Sequence, residues 1–290
     1  MDRSASSQVS RPGLSVAVLL TSSVAAALFA CAVFAPLLAQ HDPYVGSLAD
    51  RLMPPAWLPG GNSAYLLGTD VLGRDILSRL LYGARVSLLV ATLAVAGAAI
   101  VGSAIGIVAG YVGGWLDAIL MRVVDLAISL PMILIALLIG VLVGPSLTNI
   151  VAIIGLVLWS QFARMARNET LRIAQLQYID LARTAGCSSL RIVLEHIVPN
   201  VAGPLIVLAT LQVGVVIIME ASLSFLGVGV PPPAPAWGTM IAEGRSYIVS
   251  AWWICIFPGA AVMLTVVVAN LLGDQLTEAL DPGRRARRGQ

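Results

Sequence analysis

The chain has 290 residues, 58% of them hydrophobic and 11% charged, with a formal net charge of +2. A soluble domain carries about 25% charge; charge this sparse cannot coat a globule of this size, so much of the surface must face lipid. All 17 basic residues are arginine, which excludes a P-loop and Schiff-base chemistry in this chain, and their scattered or terminal placement leaves no nucleic-acid footprint.

Crossing a bilayer takes about 20 apolar residues. Six runs qualify: 14–39, 86–112, 119–143, 148–164, 201–226 and 251–273. The first has a signal-peptide-like LFAC at 28–31. Its apolar sequence continues past Cys31, however, and exceeds the roughly 7–15-residue apolar region of a signal peptide. It therefore reads as an uncleaved span.

Residues 40–85 begin with HDPYVGSLADRLMPPAWLPGGN, where His41, Asp42 and Pro43 read as a turn. In the following LLGTDVLGRDILSRLLYGARVSLL, Ile76, Leu77, Leu80 and Leu81 fall at helical spacing, with Arg74, Asp75, Ser78 and Arg79 between them. That pattern predicts an amphipathic helix lying on the membrane interface. In span two, Gly102, Gly106 and Gly110 form a small-residue face suited to close helix packing. It serves either a subunit contact or the wall of a pathway. In span three, Arg122 and Asp125 share a helix face and predict a local ion pair at the membrane edge.

Between spans four and five lies a polar, helix-forming segment, YIDLARTAGCSSLRIVLEHIVPN, residues 178–200. Gln175 to Ala185 reads as helix, and Gly186 as its stop because glycine tolerates φ > 0. Ser188 or Ser189 reads as the cap of a second helix that ends at Pro199. Such a pair is either a docking element or a solvated connection. Glu220 lies inside span five, where a lone charge costs at least ~2.5 kcal/mol and needs a partner or water. It reads either as a pathway wall or as a hydrogen-bonded helix anchor. Glu220, Met219, Gly102 and Gly106 are the candidate pathway residues; simple packing is the competing role for Met219 and the glycines.

The loop GVGVPPPAPAWGTMIAEGR (227–245) should begin extended, since successive prolines forbid helix. Trp237, Trp252 and Trp253 fit an aromatic belt at the interface. Cys31, Cys187 and Cys255 are odd in number and read as packing residues, not a disulfide framework. His41 and His196 lack metal-ligand spacing, and no HExxH, CxxC or GxSxG occurs, so neither a metal site nor a catalytic group is expected.

Arginine placement sets the orientation. With the N-terminus inside, the inner segments hold 12 arginines (3, 11, 122, 164, 167, 172, 183, 191, 284, 285, 287 and 288) and the outer ones 5 (51, 74, 79, 85 and 245). Six spans then place the C-terminal RRARR inside as well.

The stretch DLARTAG (180–186), followed by Pro199, resembles the "EAA" motif of bacterial ABC importer permeases, and Gly186 and Pro199 keep its spacing of 13 positions. Asp180 stands where the motif has Glu, Leu181 where it has the first Ala, His196 for Ile and Val198 for Leu. LLGTDVLGRDILSRLLYGARVSL (66–88), EASLSFLGVGVPPPAPAWGTMIAEGR (220–245) and NLLGDQLTEALDP (270–282) resemble, in order, segments of the C-type permease of dipeptide, oligopeptide and nickel importers.

The resemblance implies an all-α, six-span integral membrane protein of the type-I ABC importer permease fold, multi-pass in the bacterial cytoplasmic membrane, with both termini cytosolic. Residues 1–82 would be an added first helix and external segment, 83–275 the shared core with a cytosolic coupling loop at 164–200, and 276–290 a basic tail. It further implies a transport subunit that is not itself an enzyme and binds no cofactor. A second homologous permease would complete the pathway, two cytosolic ATPase subunits would bind ATP and Mg, and an external binding protein would deliver short peptides. The residues carried over as the ATPase contact are Ile179, Asp180, Leu181, Ala182, Arg183, Gly186, Cys187 and Ser188, with Arg191 on the flank. Two rival readings are the same machine importing nickel or another small solute, and a stand-alone proton-coupled carrier with Glu220 as relay. The carrier leaves the 178–200 helix pair unexplained.

Overall fold

The computed structural model describes residues 13–280, with side chains from 16 to 279. In hydrocarbon each segment must satisfy its own backbone groups. The chain accordingly forms α1 (Gly13–Val33), α2 (Ala35–Leu38), α3 (Ile76–Val112), α4 (Gly114–Ser129), α5 (Met132–Val143), α6 (Leu147–Ala174), α7 (Gln177–Thr184), α8 (Ser189–Ile192), α9 (Val198–Phe225), α10 (Trp237–Gly244) and α11 (Trp253–Leu280). Five helical stretches among the described residues are long and apolar enough to cross a bilayer, with Ser189–Phe225 forming one stretch of 37 residues. The expected third span is broken: α4 and α5 meet at 88°, at Leu130-Pro131, where proline cannot donate to the helix.

Glycine sets the closest contact in the bundle. A Cβ on Gly102 would collide with the Trp159 carbonyl, one on Gly106 with the Ala163 carbonyl, and one on Gly110 would lie 2.9 Å from the Arg167 carbonyl. Partners advance by four residues on both helices together, so α3 and α6 run parallel. The chain must therefore return to its starting side between them, and the bent α4–α5 pair is the element that does so. The result, among the described residues, is six crossings, one of them the broken α4–α5 pair.

Where α3 begins, polar groups turn inward. The expected interfacial helix does not form: residues 66–75 are turns and an isolated bridge, and the helix starts at Ile76 as part of the second span. Asp75 caps it, accepting from the Ser78 amide at 2.8 Å. The intervening polar residues are buried around Asp70. Arg74 Nε donates to Asp70 Oδ2 at 2.6 Å and its Nη2 to Glu243 Oε2 at 3.0 Å. Arg79 Nη1 donates to Asp70 Oδ2 and, at 2.9 Å, to Glu243 Oε2. Helical spacing distinguished two faces without saying which one is covered; mutual neutralisation lets the charged face turn inward.

The tryptophans differ from expectation for a related reason. Trp237 and Trp253 are buried, and their indole N–H groups donate to the carbonyls of Leu80 and Thr69, both at 3.1 Å. Backbone carbonyls, which can accept a second hydrogen bond, offered an acceptor that lipid could not. Trp252 is half-buried, packed on Trp253 and Phe257. Asp125 pairs with Arg164 of α6 at 2.5 Å rather than with Arg122. Helix α6 continues ten residues past its expected end at 164, which carries Arg164 and Arg167 alongside α4. Residues 227–236 run as turns rather than extended chain, with the Val230 amide donating to Ser224 Oγ at 3.3 Å. The turn at His41–Pro43 forms as expected, its Asp42 accepting from the Tyr44 amide at 2.8 Å. Arg3, Arg11 and everything from 281 onward, including RRARR and the end of the 270–282 stretch, lie outside the described residues.

Two expectations follow. Gly102→Leu should destabilise the bundle by about 3 kcal/mol, since the clash is with backbone that cannot yield, read as a lower midpoint in thermal unfolding in detergent. Arg79→Met leaves Asp70 and Glu243 to Arg74 alone. A loss of about 3 kcal/mol is expected there, and protease added to the detergent-solubilised chain should cut the 40–75 segment faster.

Candidate functional site: the α7–α8 turn

Helix α6 ends at Gln175, and the chain turns at Leu176 into α7. Eight residues are too few for a stable isolated helix, so packing must hold it. Ile179 is fully buried and meets Ile107, Ala166, Ile173, Ile192, Ile197 and Val201 in a second apolar cluster, separate from the main core. Ala182 and Cys187 pack at its edge. The turn is thus seated on α3, α6 and α9 together.

The loop geometry is that of a Schellman motif. Gly186 has φ +80, the Gly186 amide donates to the Arg183 carbonyl and the Cys187 amide to the Ala182 carbonyl, each at 3.0 Å. Of the two serine candidates, Ser188 is the cap of α8, accepting from the Arg191 amide at 3.4 Å. The second helix does not stop at Pro199. A π-helical stretch, Val193–Ile197, precedes it, with the Val198 amide bonded to the Val193 carbonyl. This wider turn removes the clash between a proline ring and the carbonyl four residues back, so the helix runs on into α9.

Of the nine residues carried over as a contact set, Ile179 faces the core and Ala182 and Cys187 are half-buried. Asp180, Leu181, Arg183, Gly186, Ser188 and Arg191 are exposed. Arg183 Nη1 lies 3.4 Å from Asp180 Oδ1, and its guanidinium sits 5.7 Å from the Tyr111 ring centre. Arg191 Nε donates to Glu195 at 2.9 Å. Leu181 is 68% exposed, and Leu190 and Leu194, which sequence reasoning passed over, are 69% and 57% exposed. Apolar side chains spaced four apart and facing away from the core were a legible signal for them. Leucines standing off a rigid base, rimmed by Asp180, Arg183 and Arg191, form a surface suited to a protein partner.

The base connects to the rest of the bundle by charge and by helix. Arg167 of α6 donates twice to Asp117 of α4, both at 2.6 Å. The helix from Ser189 to Phe225 is roughly 55 Å long at 1.5 Å per residue. At its far end Glu220 is fully buried and accepts from Ser87 Oγ of α3 at 2.8 Å and from Ser224 Oγ at 2.7 Å. Gly102 and Gly106 lie in the α3–α6 contact and Met219 is buried in the main core. These four residues are not brought together into one open surface of this chain. Mid-bundle, Gln212 of α9 donates to Gln161 of α6, a polar pair that hydropathy averages concealed.

Residues 102–286 match the family of binding-protein-dependent transport system inner membrane components. The chain is 42% identical over 252 residues to the di/tripeptide transport system permease protein DppC of Pseudomonas aeruginosa, covering 87% of this chain and 83% of that one. It is 44% identical over 251 residues to the dipeptide transport system permease protein DppC of Escherichia coli K12 (87% and 84% covered). It is 40% identical over 250 residues to the probable D,D-dipeptide transport system permease protein DdpC of the same strain (86% and 82% covered). With six crossings and a seated polar turn, this chain belongs to the family of binding-protein-dependent transport system inner membrane components.

Proposed function

We propose that the chain is one of two permease subunits of an ATP-driven importer of short peptides, with the α7–α8 turn as its contact to a cytosolic ATPase. The α7–α8 turn carries this reading. It is exposed, apolar at Leu181 and Leu190, charged at its rim, and fixed to α6 and α9 by buried isoleucines. An element built this way transmits a push instead of absorbing it. The relatives' names supply the cargo class, short peptides.

In this reading both termini and the α7 turn face the cytosol, as the arginine distribution implies. ATP and Mg bind on two companion ATPase chains, a homologous permease supplies the other half of the pathway, and an external binding protein delivers cargo. Closure of the ATPase pair moves the α7 turn. The continuous helix Ser189–Phe225 carries the displacement across the membrane to the region of Glu220 and Ser87.

Leu181→Asp touches nothing this chain needs for folding. In vesicles holding the assembled importer it should lower ATP-dependent dipeptide uptake about tenfold or more, while the chain still inserts and pairs with its fellow permease. Unchanged uptake would remove the turn from the coupling path. A second measurement separates the importer from a proton-coupled carrier. Glu220→Gln keeps the hydrogen bonds to Ser87 and Ser224, so uptake should stay within about threefold of normal; a proton relay would be abolished by the same change.

A further inference from the structure

The outer surface of the bundle carries a groove between α1 and α3, about 330 Å³ in volume. Phe29 and Val33 form one wall, and Leu88, Leu89 and Leu93 the other. Arg85 also lines it. Its side chain is exposed and makes no hydrogen bond or ion pair among the described residues. The other polar lining residue, Thr92, donates to the Leu88 carbonyl at 2.8 Å. One turn before Arg85, Tyr82 meets Tyr44 edge-on with ring centres 6.0 Å apart, and tyrosine is a residue enriched at the membrane–water boundary. Arg85 thus stands at the boundary end, and the apolar walls continue from it to Leu93, roughly 12 Å along the helix.

We propose that this groove binds one glycerophospholipid, its phosphate on Arg85 and one acyl chain along Phe29, Val33, Leu89 and Leu93. A guanidinium at the edge of hydrocarbon needs an anion or a route to water. The anion present at that depth is a lipid phosphate, whose oxygens match the planar fork of arginine. A trough of this length takes an extended hydrocarbon chain and excludes water. A protein helix seated there would have to bring its own carboxylate to Arg85. The inference rests on the membrane-spanning topology alone, not on the cargo or the ATPase partners.

The test is native mass spectrometry of the full-length chain, extracted with whatever subunits accompany it and exposed to defined lipids. The wild-type chain should retain phosphatidylglycerol over a glucosyl diacylglycerol with the same acyl chains. Arg85→Gln should lower that retention about tenfold, the value of one charge-assisted contact. Leu89→Trp, which fills the trough and keeps the charge, should lower it similarly, and Arg85→Lys should keep most of it. Equal retention of the phosphate-free lipid, or unchanged retention in Arg85→Gln and Leu89→Trp, would overturn the proposal. So would equal loss in Arg85→Lys. Lost association with another membrane subunit in Arg85→Gln, with lipid retention unchanged, would assign the groove to a protein and overturn it as well.

Discussion

The structure depends on the burial of Ile179 against Ile173, Ile192 and Ile197. Helix α7 is too short to persist unaided, and its outward face carries Asp180, Leu181 and Arg183, of which Arg183 reaches the Tyr111 ring of α3. Burying one isoleucine side chain is worth roughly 1.5–3 kcal/mol. The same cluster takes in Ile107 of α3, Ala166 of α6 and Val201 of α9, so the turn is seated on three long helices at once. The same contact fixes where Leu181 and Leu190 point, because Gly186 and the Ser188 cap leave the turn little freedom. Without it the exposed leucines would sit on a loose loop, and force applied there would be spent locally.

The two ends of the bundle use polar chemistry in opposite ways. Where α3 begins, Asp70, Arg74, Arg79 and Glu243 are drawn together out of water, and two indoles donate to backbone carbonyls. Charges so enclosed fix one arrangement, because each unpaired alternative carries a desolvation cost of several kcal/mol. At the α7 end the ion pairs Arg164–Asp125, Arg183–Asp180 and Arg191–Glu195 are largely exposed. Exposed pairs contribute about 0–1 kcal/mol each, so they can exchange partners at little cost. The first arrangement suits a scaffold and the second suits a docking surface.

Much of this was legible in the sequence, and the failures share a cause. Apolar run length placed the spans because the bilayer imposes a thickness. The small-residue spacing of Gly102, Gly106 and Gly110 announced a close contact, and Gly186 announced its turn through backbone freedom. Periodicity could not say which face of 74–81 was covered, since that depends on Glu243, more than 160 residues away. The tryptophans were misplaced because an indole satisfied by carbonyls looks, in sequence, like one satisfied by interfacial water. Pro199 read as a stop because the π-helical turn that accommodates it has no residue signature. The break at Pro131 was hidden because no charged residue interrupts 126–143 around it, and Asp125 was assigned to Arg122 because α6 was expected to end at 164.

Glu220 joins these features. A carboxylate within hydrocarbon would oppose folding unless its oxygens were occupied, and both are, by Ser87 and Ser224. One donor lies on α3 and the other on α9, so the bond to Ser87 ties the far end of the long helix to its neighbour as the isoleucine cluster ties the near end. Leu80, two turns earlier on α3, accepts from Trp237 at the start of α10. The contacts therefore run unbroken from the α7 turn along α9, across Glu220 to α3, and onto the helix whose Glu243 closes the opposite end. A helix held at both ends passes a displacement of one end to the other, and the place within it that can yield is Pro204, which lacks an amide to donate. That constraint makes the position of α10 depend on the position of the α7 turn.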